Sequence, residues 1–426
     1  MKATLLALVI SLMATLAPGR SEAERYTPLP ARLDGSMSLY DFDSVEPRVL
    51  PDSLHPFYIS YIARHGARYL TSENKVNSVE KVLLEAQRRG SLTHKGKDCL
   101  ALMERVRRAT AGQWGMLSEI GKQQELRLGR EMVRMFPEVF PESGSGVKGE
   151  SSYVPRVIET MDQFIIAIAD TIDGLPTSAN SGRAYDNLTR FFTTVPSYDK
   201  WRKTGDWKDV YNDFSARTLP VRPAEALVGK NSGLSDKELR SLSYDLYKVL
   251  QGLRAMSLPA PTTEWMTPEE YAACWHATNL EKYFQYSLSP LSTEPAMGAS
   301  EVMFRLINEQ IALQNGTLTD GLSGIFGHAE TLLPVFALLG VPGSTALPLD
   351  YDHLYEEWSD ARLTPLAANL AIIYSRALSG RIYASMRLNG RNVPPTDDPG
   401  RLSVTIPELR TYWLNRYLQL SPSALF

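Results

Sequence analysis

The sequence predicts an α/β protein interrupted by a mainly α-helical insertion, and three observations lead there. Short runs with strand character stand at residues 57–63, 321–327, 368–376 and 381–387, with helical patterns between them. The stretch 173–297 has few strand signals and several strong helix starts. The chain has 426 residues, 43% hydrophobic and 22% charged, enough for one large or two medium domains. We read residues 24–172 and 298–426 as one discontinuous α/β domain and 173–297 as the inserted helical domain.

The elements follow in order. Lys2, the apolar residues 3–16 and Ser21-Glu22-Ala23 read as a signal peptide over 1–23, its core too short for the ~20 residues of a membrane span. No later apolar stretch is long enough to span a bilayer, so we expect a periplasmic or secreted bacterial protein with no stable membrane insertion after signal removal. The net charge of -3 argues against nucleic acid as a partner. Cys99 and Cys274 are the only cysteines; a disulfide and two buried thiols both remain open, as does the oligomeric state.

Residues 57–63 form a buried strand. Helices are expected over 78–108 and 118–136, a loop over 141–152, a short strand at 152–154, and a helix from Pro155 to Asp170. Ser235-Asp236-Lys237-Glu238 and Thr267-Pro268-Glu269-Glu270 are capping boxes, implying helices of roughly 235–255 and 268–286. The basic residues Arg183, Arg190, Lys200, Arg202, Lys203 and Lys208 form either a solvated face or one wall of an anion cleft. A helix to about 314, the strand 321–327, a helix 331–339, two strands and a final helix from near Pro407 complete the chain.

Arg64-His65-Gly66-Ala67-Arg68-Tyr69 follows the first strand directly. Ligands in open α/β sheets collect at the carboxyl ends of strands, and arginine forks match phosphate oxygens while keeping their charge. The motif therefore suits a phosphate held against an imidazole, although a solvated loop fits the same letters. His328-Ala329-Glu330 likewise follows a strand and opens a helix, whose N-terminus attracts anions. Glu330 suits a general acid if burial and phosphate charge raise its pKa.

Rival chemistries lack their partners. A zinc deaminase needs Pro-Cys-x-x-Cys, a zinc protease His-Glu-x-x-His, and Gly144-Ser145-Gly146 is only a fragment of a serine-hydrolase elbow. His55, His94, His276 and His353 have no matched neighbours and read as structural or exposed.

Taken together, these motifs resemble the histidine acid phosphatases, clade 2 of the histidine phosphatases. Arg64-His65-Gly66-Ala67-Arg68 is similar to the family's Arg-His-Gly-x-Arg, and the 117–124 segment with Leu128-Gly129 to its Leu-Thr-x-x-Gly-x-x-Gln. Val154 to Thr160 resembles the region of its third phosphate-binding arginine. His328-Ala329-Glu330 and Tyr69 are similar to multiple inositol polyphosphate phosphatases, while Leu70 stands where a proline is usual.

The resemblance implies a mixed central sheet, His65 as nucleophile forming a phosphohistidine, and Glu330 as proton donor and then base. It implies Arg64, Arg68, Arg156 and His328 on the phosphoryl oxygens, with no metal and no cofactor. The implied substrate is phytate or a lower inositol polyphosphate, for which Arg183, Arg32 and Arg190 are additional binding candidates. A broad acid phosphatase, or a non-catalytic periplasmic phosphate-binding protein, would share the pocket.

Overall fold

The computed structural model describes residues 30–421 except 142–143, 145, 260–261, 319–320 and 349. The expected signal peptide, 1–23, lies outside the described residues. The strands among them are β1 (Leu54–Arg64), β2 (Val147–Ser151), β3 (Thr177–Ser181), β4 (Gly321–Gly327), β5 (Asn369–Ala377), β6 (Ile382–Leu388), β7 (Arg391–Val393) and β8 (Ser403–Thr405). Their order is β3-β2-β4-β1-β5-β6-β7, with β8 paired to β6.

The sheet is mixed. β3, β2, β4 and β1 run parallel, whereas β5 joins β1 antiparallel and β6 joins β5 antiparallel. Arg64 pairs with Gly327, Phe326 with Ser151, and Ser151 with Ser181. Four neighbouring strands thus end at one edge, and the segments leaving them start side by side.

β1 is buried at every position but His55, as a strand covered on both faces should be. Its side chains alternate: Tyr58 and Ile62 enter one apolar cluster, and Ile59, Tyr61 and Ala63 enter the cluster on the opposite face.

Among the longer helices are α1 (Asn74–Arg88), α2 (His94–Thr110), α3 (Glu119–Met135), α4 (Pro155–Ala169), α5 (Asp236–Leu250), α6 (Pro268–Tyr286), α7 (Ser300–Gln314), α8 (Ala329–Leu339) and α9 (Ile406–Leu420). Both expected capping boxes form, at Ser235 with Glu238 and at Thr267 with Glu270. Such caps contribute about 1 kcal/mol each. A third buried cluster joins α1 and α2 to α5 and α6 through residues such as Leu83, Leu102, Leu246 and Trp275. Cys99 and Cys274 lie in this cluster as free, buried thiols. No described helix is long and apolar enough to cross a membrane.

Several expected elements need correction. The helix of 78–108 is two helices, because Thr93 starts the second by accepting the Gly96 N–H at 3.0 Å. Within the expected loop 141–152 lies β2, read as irregular because its letters are Val-Lys-Gly-Glu-Ser. Gly149 packs closely there, since a Cβ would come within 2.7 Å of the Met161 side chain, and buried Glu150 pairs with Lys148 at 2.6 Å. The strand expected at 152–154 is the connection after β2. β3 falls inside the supposedly helical 173–297; as an exposed, polar edge strand it lacks apolar alternation.

Candidate active site

β1 delivers Arg64 and then His65, β4 delivers His328, and β2 leads through Ser152 to Arg156 on the first turn of α4. His65 and His328 are 2% and 3% exposed, with ring centroids 5.7 Å apart and planes at 74°. Register alone makes them neighbours, since each is the first residue beyond a paired strand end.

The loop between β1 and α1 is held by backbone contacts. The Gly66 N–H donates to Thr160 Oγ1 of α4 at 3.1 Å, and the Ala67 N–H to Gln124 Oε1 of α3 at 2.8 Å. A Cβ on Gly66 would meet the Gly121 carbonyl at 2.8 Å, and one on Gly121 would meet the Ala67 carbonyl at 2.1 Å. Two glycines therefore let α3 press its backbone against the loop.

His65 Nδ1 lies 2.9 Å from the Gly66 carbonyl oxygen, which can only accept. Nδ1 therefore carries the proton and Nε2 the lone pair. Burial pushes the His65 pKa well below its usual value, and Arg156, Arg64, Arg68 and His328 push it further. The imidazole is neutral throughout the physiological range.

The arginines around it keep donors in reserve. Buried Nε atoms of Arg64, Arg68 and Arg156 have no hydrogen-bond partner among the described residues. Arg64 donates from one terminal nitrogen to the carbonyls of Ser36 and Thr364, Arg68 to its neighbour Tyr69 O at 3.0 Å, and Arg156 to Gly115 O at 3.4 Å. Burial lowers the pKa of Arg64 to about 10 and of Arg68 to about 9, with neighbouring arginines adding to the effect on each. Both stay charged at neutral pH. Unused donors on buried cations cost free energy unless an anion takes them up.

His328 Nε2 is 3.4 Å from Ser152 Oγ, and its N–H caps back onto Thr331 Oγ1 at 3.0 Å. Burial brings the His328 pKa to about 3, with Arg156, Arg190 and Arg64 assisting and Glu330 opposing. Glu330 departs from expectation. Burial raises its pKa, but His328, a backbone hydrogen bond, Arg64 and Lys282 outweigh this and hold the carboxyl down to about 2. The surrounding positive charge decides the sign.

Arg190 is partly buried beside the pocket, with its guanidinium 5.2 Å from the Tyr153 ring and 5.4 Å from Phe192. Arg183 is exposed and lies 4.1 Å over Tyr153. Arg202 also lies over Phe192, at 5.4 Å, and Phe192 stands edge-on to His328 at 6.1 Å. Lys200, Lys203 and Lys208 are exposed, as a solvated basic face requires. The side chain of Arg32 lies outside the described residues. Among the other histidines, His276 stacks on Tyr355 at 4.2 Å, and His94 pairs with Asp98.

Sequence reading missed Ser152, Tyr153 and Lys282 as parts of the site. A serine or tyrosine after a strand carries no local signal. Gln124 and Thr160 were visible only within the family-like 117–124 and 154–160 segments.

Fold and site define an α/β protein with a cationic pocket around a neutral imidazole. The chain belongs to branch 2 of the histidine phosphatase superfamily, whose family model matches residues 58–381. No curated protein matches its sequence. Among solved structures, the Bifidobacterium longum multiple inositol polyphosphate phosphatase in complex with inositol hexasulfate has a TM-score of 0.75 at 17% identity, covering 90% of this chain and 97% of that one. The phytase from D. castellii has a TM-score of 0.69 at 16% identity, covering 94% of this chain and 88% of that one. At these identities the likeness is one of fold.

Proposed function

We propose that this histidine phosphatase is a secreted or periplasmic phosphomonoesterase that removes phosphate from phytate and lower inositol polyphosphates. The observation that carries the reading is the set of three arginines with unpartnered buried Nε donors around a neutral His65. His65 Nε2 attacks phosphorus as the bond to the leaving alkoxide breaks, giving a phosphohistidine. Arg64, Arg68, Arg156 and His328 hold the phosphoryl oxygens and stabilise the charge that develops there.

Glu330 protonates the leaving alkoxide, then takes a proton from the water that releases phosphate from His65. With its pKa at about 2, Glu330 must gain its proton as substrate binds. An entering phosphate supplies the negative charge that raises it. Arg183 and Arg190, and Arg32 from the start of the mature chain, bind phosphates remote from the reacting one. The structural likeness to the B. longum enzyme, crystallised with inositol hexasulfate, supports this substrate class. The helices of 173–297 that follow β3 form one side of the cleft as an insertion.

Rapid quenching with labelled phytate should trap phosphate on His65, and His65→Ala should abolish turnover. Label on another residue refutes the nucleophile. A higher kcat/KM on a simple aryl phosphate than on phytate makes the protein a general acid phosphatase, and binding of orthophosphate without turnover makes it a binding protein.

A further inference from the structure

The Arg64 guanidinium is oriented by acceptors that belong to other segments. The same terminal nitrogen donates to Ser36 O and to Thr364 O, the latter at 2.6 Å. Both carbonyls are tied to one residue, Asp360. The Ser36 N–H donates to Asp360 Oδ2 at 2.9 Å, and the Thr364 N–H to the Asp360 carbonyl, also at 2.9 Å.

Asp360 is wholly buried and fully engaged. Oδ1 accepts from Trp275 Nε1 at 3.0 Å, Oδ2 accepts from Lys282 Nζ at 2.7 Å, and its N–H donates to Asn279 Oδ1 at 2.8 Å. Lys282 also donates to Ser36 Oγ, so one ammonium grips the carboxylate and the residue that it holds. Gly35, at φ 60°, lets the 30–37 segment approach closely, since a Cβ there would meet Asp360 Oδ2 at 3.0 Å. A carboxylate taken wholly out of water, with a lysine partner and a neutral ring donor, is costly to build.

We infer that Asp360, with Lys282, is a positioning residue for catalysis: its carboxylate fixes Ser36, one of the two carbonyls that hold Arg64, so that Arg64 turns its free Nε edge toward the phosphate. The inference rests on the phosphate reading of the pocket and adds to it a residue that does not touch substrate. Through Asp360, helix α6 and the 30–37 segment set the aim of an arginine at the end of β1. Loss of the carboxylate leaves Arg64 present and charged, still held by Thr364 but free to tilt on that single anchor.

A double-mutant cycle tests this, read as the Kd of inorganic phosphate by calorimetry on folded protein. Asp360→Asn should weaken phosphate binding by about tenfold with Arg64 in place, equivalent to about 1.4 kcal/mol. In an Arg64→Ala background the same change should alter Kd by less than about twofold. Equal losses in both backgrounds overturn the inference, because they place the effect of Asp360 elsewhere in the pocket. Should Asp360→Asn not fold, Lys282→Met is carried through the same cycle with the same criterion. If Arg64→Ala alone leaves the Kd unchanged, the phosphate reading of the pocket fails instead.

Discussion

The inner pocket and the outer basic wall use arginine in opposite ways. Arg64, Arg68 and Arg156 are anchored through terminal nitrogens to backbone carbonyls and keep their buried Nε donors unpaired. Arg183 and Arg190 instead rest on the rings of Tyr153 and Phe192. A carbonyl fixes direction, whereas a ring face lets a guanidinium slide at an energy of about 0.5–1 kcal/mol at an exposed site. On the proposed function, the inner set holds one phosphate in one geometry, and the outer set meets several phosphates whose positions change as the substrate is trimmed.

The strongest test of that contrast removes an inner arginine. Arg156→Ala should lower kcat/KM by roughly 10²-fold or more on every phosphomonoester alike. A loss confined to highly phosphorylated substrates would move Arg156 into the outer wall. Next in size, Arg183→Asp should raise KM for the hexakisphosphate by about tenfold and hardly change it for a monophosphate, with the difference fading at high salt. Equal effects on both substrates would erase the distinction between the two sets.

A third test concerns the cost of the inner pocket. His328 has its pKa brought down to about 3 and His65 well below its usual value, so the unfolded chain binds more protons than the folded one below about pH 6.5. The stability that neutral His328 allows is present above that pH and lost as pH falls toward 3, by up to roughly 1.4 kcal/mol per pH unit, and neutral His65 adds a loss of the same sign. Denaturation midpoints of His328→Asn should therefore fall less steeply than those of the wild type between pH 6 and 4. Parallel slopes would show that His328 titrates normally. Smallest of all, Tyr153→Ala should weaken hexakisphosphate binding only a few-fold, since it removes the surface under Arg183 and Arg190 but neither charge. A loss as large as that of Arg183→Asp would mean that the ring, and not the cation, meets the substrate.

Legibility followed burial. β1 and β4 were readable because strands covered on both faces are apolar runs, and α5 and α6 because their capping boxes are local. β2 and β3 were missed for opposite reasons: one buries an ion-paired glutamate and a glycine, the other is a polar edge. In the site, Arg64, His65, Arg68 and His328 announced themselves as charged or ionisable residues beside strand ends. The hydrogen bonds that Thr160 and Gln124 accept, and the tie of Asp360 to Arg64 through Ser36, join segments far apart in sequence. The depressed pKa of Glu330 escaped for a related reason: its sign depends on how many cations the fold gathers around one carboxyl.

The strand order has a consequence for synthesis on the ribosome. β4 lies between β1 and β2, yet it is made after both and after the long helical stretch. Until it arrives, β1 and β2 have no shared neighbour, and β2 can pair only with β3. The acceptor that Thr364 offers to Arg64 comes later still. Non-local pairing of this kind is slow, and the unpaired edges stay exposed meanwhile. A nascent chain stopped at residue 300 already carries Arg64, Arg68, Arg156, Arg183 and Arg190, and has no pocket in which to use them.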